Sequence, residues 1–353
     1  MEMTYTPLER LLHKVAFANP QVQRAAADVE AGLFRRRVDD VAEVPPVFVT
    51  ALPRAGTTLL LEALAEFDEI ATHTYRDMPF VAAPLLWDRL SAGFRKTASL
   101  RERAHGDGVM IGYDSPEAFE EVIWRLLWPE KYRAERIELW EAADAGDAER
   151  AFLVAHFKKI VGLRAAGVAG ARYASKNNAN IARLELLPAL FPGAEIVVPV
   201  RDPLEQATSL WRQHRRFRAL QAEQPFVAAY MADIGHYEFG RLHRPFAFPG
   251  TTPPGDGTGP DRPDYWLAYW IAAYAHVHAA RDRVRPLGYE RWCAAPREVA
   301  GALAEALGLG RGAGFERAVA RVHAPPPARA EPADFDAALV ERARDLYRSL
   351  LAA

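Results

Sequence analysis

A single cysteine, Cys293, occurs among the 353 residues. No disulfide can therefore form within the chain, and a reducing compartment is expected. Cys293 itself reads as a small buried hydrophobe. No run of 18 apolar residues occurs, so no helical membrane span is expected. The opening stretch, MEMTYTPLERLLHKVAFANP, lacks the uninterrupted apolar core of a secretory signal, and the cytoplasm is the expected location. An excess of one charge is missing too. Lys plus Arg is 44 and Asp plus Glu is 46, a net charge of -2. Nucleic-acid binding, which needs a strongly basic face, is not expected. Neither HExxH nor paired Cys/His spacing appears, so no metal site is read.

What is present is ordinary globular material, half hydrophobic and a quarter charged. Residues 1–353 are read as a single domain. It has an N-terminal helical segment (1–44), a core (45–310) and a C-terminal helical tail (311–353). Leu8 to Arg37 reads as helix broken near Pro20. Val47 to Leu52 is a short apolar run with the look of a buried parallel strand, and Thr57 to Phe67 a helix. Residues 77–165 read as mostly helical. Strands are expected at Ala171–Ser175, Glu195–Val200 and Val284–Tyr289, and helices at Ala179–Leu190, Leu204–Phe217 and Tyr265–Arg283. Pro199 inside the third strand cannot donate to a ladder. Residues 245–264 hold six prolines and four glycines and form a loop. Strands alternating with helices indicate an α/β fold with a mostly parallel sheet and helices on both sides.

Two segments carry anion chemistry. In the first, Pro53-Arg54-Ala55-Gly56-Thr57-Thr58 joins a strand to a helix. A helix N-terminus presents unsatisfied N–H groups and a positive dipole end. Gly56 admits a phosphate close to the backbone, Thr57 and Thr58 add hydroxyls, and Arg54 adds charge. Taken alone, the segment is also compatible with an ordinary βα turn. It departs from G-x-x-x-x-G-K-[ST], because Ala51 stands at the first glycine and Thr57 at the lysine. In the second segment, Arg201-Asp202-Pro203 closes a strand, and Ser209 follows Arg201 by eight residues. Arg201 offers a bidentate fork, and Ser209 a hydroxyl further along the helix.

PRAGTT resembles the 5'-phosphosulfate loop of sulfotransferases that use 3'-phosphoadenosine 5'-phosphosulfate (PAPS). Arg201 with Ser209 is similar to that family's 3'-phosphate motif. Leu287-Gly288-Tyr289-Glu290-Arg291-Trp292, followed by Pro296 and Leu307-Gly308-Leu309, resembles its third segment, with Arg291 in place of the usual acid. The resemblance runs from about residue 46 to residue 309. It is nearest to a bacterial branch with features of tyrosylprotein sulfotransferases. It implies a P-loop-like three-layer sandwich and transfer of a sulfuryl group from PAPS to a hydroxyl or amine, leaving adenosine 3',5'-bisphosphate. By the same resemblance, Arg54, Ala55, Gly56, Thr57, Thr58, Arg201, Ser209 and Tyr289 would hold the cofactor, with Tyr289 beside the adenine.

Charge develops on the bridging and sulfuryl oxygens, so positioned cations and N–H donors are needed and no metal is required. Arg54 is the first candidate cation. Lys176, 25 residues before Arg201, resembles a family lysine on the sulfuryl group, and is otherwise a solvated loop lysine. A general base is expected. His105 and Asp77 are both candidates, with His73 and Glu117 behind them. The run Arg212, His214, Arg215, Arg216 and Arg218 suits an anionic acceptor, a subunit contact or a solvated face, and a homodimer is compatible with it. The middle region and the 245–264 loop are expected to shape the acceptor pocket. The acceptor is left open among sugar, lipid, peptide and small phenol. The rival readings are a P-loop nucleotide kinase or hydrolase and a non-catalytic nucleotide-binding protein of the same fold.

Overall fold

The computed structural model describes residues 7–92, 101–102, 110–111, 116, 118–251, 259–323, 330 and 334–352. Two helices open the chain, α1 (Pro7–Ala16) and α2 (Pro20–Asp39). Asn19 caps the second, its side chain accepting from the Gln21 N–H. Then come β1 (Val47–Val49), α3 (Thr57–Leu64), β2 (Ile70–Ala71), α4 (Pro84–Ser91), β3 (Arg101–Glu102), β4 (Met110–Ile111), α5 (Glu121–Leu127) and α6 (Asp147–Arg164). The second half holds β5 (Arg172–Lys176), α7 (Leu186–Leu190), β6 (Glu195–Val200), α8 (Pro203–Glu223), α9 (Pro225–Asp233), α10 (Pro263–Ala279) and β7 (Arg285–Gly288). It closes with α11 (Tyr289–Ala294), α12 (Pro296–Ala306), α13 (Ala313–Arg321) and α14 (Ala337–Leu351).

Five strands form one parallel sheet in the order β2-β5-β1-β6-β7, and β3 pairs with β4 as a separate antiparallel hairpin. The side-chain period of two sends β1 into both faces of the core. Phe48 packs with Phe157 and Phe191 on one face. Val47 and Val49 pack with Leu60, Leu64 and Trp292 on the other. All three β1 residues are buried, which is why the run is continuously apolar rather than alternating. The result is the P-loop-like three-layer α/β arrangement, helices on both sides of a parallel sheet. From the centre the chain first builds outward through β2 and β5, then crosses to β6 and β7. The carboxyl end of β1 therefore lies at the switch point where open α/β sheets bind ligands.

Two sequence expectations need correction. The helix expected at Ala179–Leu190 is a 3-10 turn, Asn178–Ala182, followed by the short α7. The Asn177 side chain accepts from the Ala179 N–H, and such local bonds compete with helix. Between 77 and 165 only α4, α5 and α6 are α-helical among the described residues. Pro129 ends α5 and starts a 3-10 turn, Pro129–Lys131. The strand expected at Glu195–Val200 is β6 over those same residues, with Pro199 beyond the β1–β6 pairing and opposite Leu287 in the β6–β7 ladder. Among the described residues no helix is long and apolar enough to cross a membrane.

Candidate active site

The turn after β1 is held in an uncommon backbone shape. Arg54 has φ +71° and Gly56 φ +93°, both in the left-handed region that a non-glycine residue enters at some cost. Gly56 has a second reason to be glycine. A Cβ there would stand 2.4 and 2.5 Å from ring atoms of Tyr289. Gly56 is also the N-cap of α3 and offers no capping side chain, so the helix start keeps its affinity for an anion. Below the turn lies Gln206, fully buried. Its Nε2 donates to the Leu52 and Pro53 carbonyls at 3.0 and 2.9 Å. Its Oε1 accepts from Trp270 Nε1 at 2.9 Å and from the Tyr274 hydroxyl at 3.2 Å. Thr57 Oγ1 donates to Asn178 Oδ1 at 3.2 Å, and Thr50 Oγ1 to the Asn178 carbonyl at 3.3 Å.

The fold brings the two anion segments into contact. Arg54 Nε donates to Ser209 Oγ at 3.0 Å, across 155 residues of sequence. Arg201 Nη1 donates to the Arg54 carbonyl at 3.0 Å. Arg201 is buried, lies 3.6 Å from Glu205, and stands over the Tyr289 ring at 5.4 Å from its centroid. Burial pushes the Tyr289 phenol up in pKa, with Cys293 adding to the effect. Tyr289 thus packs between the glycine of one segment and the arginine of the other. The start of α8 is already occupied, because Asp202 accepts from the Leu204 and Glu205 N–H groups at 3.0 Å each. An anion beside α8 would meet Arg201 and Ser209 rather than the helix terminus. Lys176 is the last residue of β5 and is almost wholly buried. In the basic run, His214 turns inward, Arg215 stacks on Trp211 at 5.2 Å, and Arg218 pairs with Asp261.

A pocket opens beside the turn. Its wall runs from Leu52 and Pro53 through Glu121, Ile137 and Asn177 to the segment Gly235–Glu238, then His243, Arg244 and Phe246, with Trp266 and Tyr269. Glu121 is bound by Arg183 at 2.8 and 3.0 Å, by Asn177 at 2.7 Å, and by the Tyr132 hydroxyl. Burial would raise its pKa, but Arg183 holds it below the ordinary value. Arg183 itself is sandwiched between Trp124 and Trp140, 4.4 and 4.1 Å from their centroids. His243 spends both ring nitrogens, at 2.8 Å on the Glu238 carbonyl and 2.7 Å on the Tyr265 hydroxyl. Burial, with His214 nearby, lowers its pKa to about 3. Arg244 stacks on Tyr237 at 4.3 Å. Glu238 is half-buried, with a long 3.5 Å hydrogen bond from Asn178 Nδ2.

The candidate bases fare differently. His105 lies outside the described residues, as does Glu117. Asp77 is 2% exposed, and both its oxygens are committed. Oδ2 accepts from the Thr74 N–H at 3.0 Å and meets His73 Nδ1 at 2.9 Å, and Oδ1 accepts from Arg164 at 2.6 Å. With Thr74 it forms a capping box on a 3-10 turn, Tyr75–Asp77. His73 continues to His156, Nε2 to Nε2 at 2.9 Å. This arrangement suits a structural ion pair rather than a proton acceptor open to substrate. Burial would raise the Asp77 pKa, but His73 and Arg164 outweigh it and hold the carboxyl below its ordinary 3.8. Gln206, Asn178, Glu121 and Glu238 carried no motif. Gln206, between Arg201 and Ser209, and Asn178, two residues after Lys176, gain their meaning only from distant partners.

Comparison with known proteins agrees with this geometry. A family model described as "Sulfotransferase family" matches residues 45–255. A search of curated proteins returns no match. Among solved structures, sulfotransferase STF9 from Mycobacterium avium aligns at 16% identity, with a TM-score of 0.57, over 99% of this chain and 87% of its own. At that identity the likeness shows the fold. Sulfotransferase STF1 from Mycobacterium tuberculosis H37Rv aligns at 16% identity over 97% of this chain and 85% of its own. Its TM-score of 0.48 adds nothing to the fold assignment.

The buried Asp77 network predicts a stability effect with a defined pH dependence. Asp77 has a lowered pKa when folded, so its contribution is present above its ordinary 3.8 and is lost as pH falls through the lower folded value. Asp77→Asn should cost about 3 kcal/mol at neutral pH, because it leaves Arg164 without its carboxylate. The gap from the native chain should narrow below pH 3.8. Denaturant unfolding of both proteins across that range measures it, and a gap that stays constant would contradict the ion-pair role.

Proposed function

The chain belongs to the sulfotransferase family, and from that premise we propose that it moves the sulfuryl group of PAPS, as donor substrate, to a hydroxyl or amine acceptor by in-line displacement. The observation that carries this reading is the contact between Arg54 and Ser209, with Arg201 on the Arg54 carbonyl. Two cationic side chains and a hydroxyl converge beside an N-cap glycine, and a nucleotide with phosphates at both its 3' and 5' positions matches that pair of charges. In this reading the α3 start with Thr57 and Thr58 holds the 5'-phosphate, with Ala55 and Gly56 lining the approach. Arg201 and Ser209 hold the 3'-phosphate, and Tyr289 fixes the spacing between the two.

PAPS supplies an activated sulfuryl group whose transfer leaves negative charge on the bridging oxygen. Arg54 and Lys176 are assigned to that charge. Because side chains supply the cations, this scheme needs no metal. A kinase or hydrolase is not favoured, since Thr57 stands where a phosphate-binding lysine is needed. The pocket beside the turn is the proposed acceptor site. The middle region lines it with Glu121 and Ile137, and the 245–264 stretch contributes Phe246.

Two outcomes test the reading. Adenosine 3',5'-bisphosphate should raise the melting temperature well above the rise given by adenosine 5'-phosphate, because ligand binding to the folded state stabilises it. Arg201→Ala should abolish the preference, at a cost of about 2–5 kcal/mol for a buried charge contact. Equal shifts for the two ligands in the native chain would mean that no 3'-phosphate is read. Lys176→Ala should lower kcat about 10²-fold or more with little change in KM for PAPS, as expected of a contact made mainly in the transition state. A change in KM alone would return Lys176 to a binding or structural role.

A further inference from the structure

The geometry points to Glu238 as the general base that takes the proton of the acceptor, an inference that rests on the sulfuryl-transfer reading above. Among the described residues, two carboxylates line the pocket beside the turn, Glu121 and Glu238. Glu121 is spent. Arg183 grips both its oxygens, Asn177 and Tyr132 donate to it, and a proton placed there would strand a fully buried guanidinium. Glu238 is different in each respect. It is half-buried rather than sealed. Among the described residues it makes no ion pair, and its side chain takes one long hydrogen bond, from Asn178 Nδ2 at 3.5 Å.

That bond gives Glu238 its place relative to the chemistry. Asn178 uses its other side-chain atom, Oδ1, to accept from Thr57 Oγ1 at 3.2 Å. Thr57 is the first residue of α3, where the reading above seats the donor's 5'-phosphate. Glu238 is thus two hydrogen bonds from that helix start and on the wall of the adjoining pocket. Its main chain is held independently. His243 Nδ1 bonds the Glu238 carbonyl at 2.8 Å, and the Arg244 N–H donates to the Tyr237 carbonyl at 2.9 Å. Tyr237, Phe246, Trp266 and Tyr269 make the surrounding wall largely aromatic, which strengthens a proton transfer made inside it.

The histidines of the pocket serve less well. His243 has both ring nitrogens committed. His236 also lines the pocket, but no bond joins its side chain to Asn178 or Thr57 among the described residues. In the step assigned to Glu238, the acceptor O–H gives its proton to a Glu238 carboxylate oxygen as the acceptor oxygen bonds to sulfur. The bond from sulfur to the bridging oxygen breaks, and its electron pair leaves on the 5'-phosphate of adenosine 3',5'-bisphosphate. The half-buried carboxyl then returns its proton to solvent.

Glu238→Gln tests this, because the amide oxygen can still accept from Asn178 while the basic site is gone. Sulfuryl transfer from PAPS to 4-methylphenol and to 4-nitrophenol is measured beside the melting shift produced by adenosine 3',5'-bisphosphate. We expect a loss of about 10²-fold or more in kcat on 4-methylphenol, a smaller loss on the more acidic 4-nitrophenol, and an unchanged melting shift. Near-native turnover, a parallel loss of the melting shift, or a larger loss in His236→Asn or His105→Ala overturns the assignment. No transfer by the native chain to any hydroxyl or amine, despite an intact melting shift, overturns the transferase reading beneath it as well.

Discussion

The buried amide of Gln206 holds the turn after β1 in place. A turn with two residues at positive φ leaves carbonyls that the regular ladder cannot satisfy, and a buried unpaired carbonyl costs about 1–3 kcal/mol. Gln206 answers two of them, Leu52 and Pro53, and is itself oriented by Trp270 and Tyr274. One side chain on α8 therefore ties the end of β1 to α10, which fixes where α8 lies against the turn. Ser209 can meet Arg54 because Gln206, three residues earlier on the same helix, has already set that spacing.

The two helix starts at this edge divide the electrostatic work. At α3 the cap is glycine, and the N–H groups and dipole are directed at whatever anion arrives. At α8 the cap is Asp202, which already satisfies Leu204 and Glu205. There a phosphate must rely on the Arg201 fork and the Ser209 hydroxyl. Tyr289 stands between, against Gly56 on one side and under the Arg201 guanidinium on the other. A side chain larger than hydrogen at residue 56 would force that ring away.

What the sequence revealed about the fold and the site follows from how local each feature is. β1 and its turn, and β6 with the Arg201 corner, are each written in about ten consecutive residues, whereas the contact of Arg54 with Ser209 is visible only in the fold. Between 179 and 190 the apolar spacing that suggests helix comes from packing around a 3-10 turn, while Asn177, Asn178 and Asn180 favour local bonds. Asp77 looked available because sequence shows an acid after a helix, not the His73 and Arg164 that enclose it. Of the pocket, sequence shows only the contributing regions and not the residues of its wall. It draws on residues near 52, 121, 137, 177, 238 and 266, and Glu238 gains its place only through Asn178, 60 residues away. Nothing in the pattern around Glu238 sets it apart from any partly exposed glutamate.

The account stands or falls on whether sulfur moves. Sulfur-labelled PAPS, incubated with the chain and a panel of hydroxyl and amine acceptors in the presence of a chelator, measures that directly. The account predicts label in an organic sulfate or sulfamate, with one adenosine 3',5'-bisphosphate formed for each product molecule and no loss of rate to the chelator. PAPS left unconsumed across the panel, or label recovered only as inorganic sulfate, would contradict it.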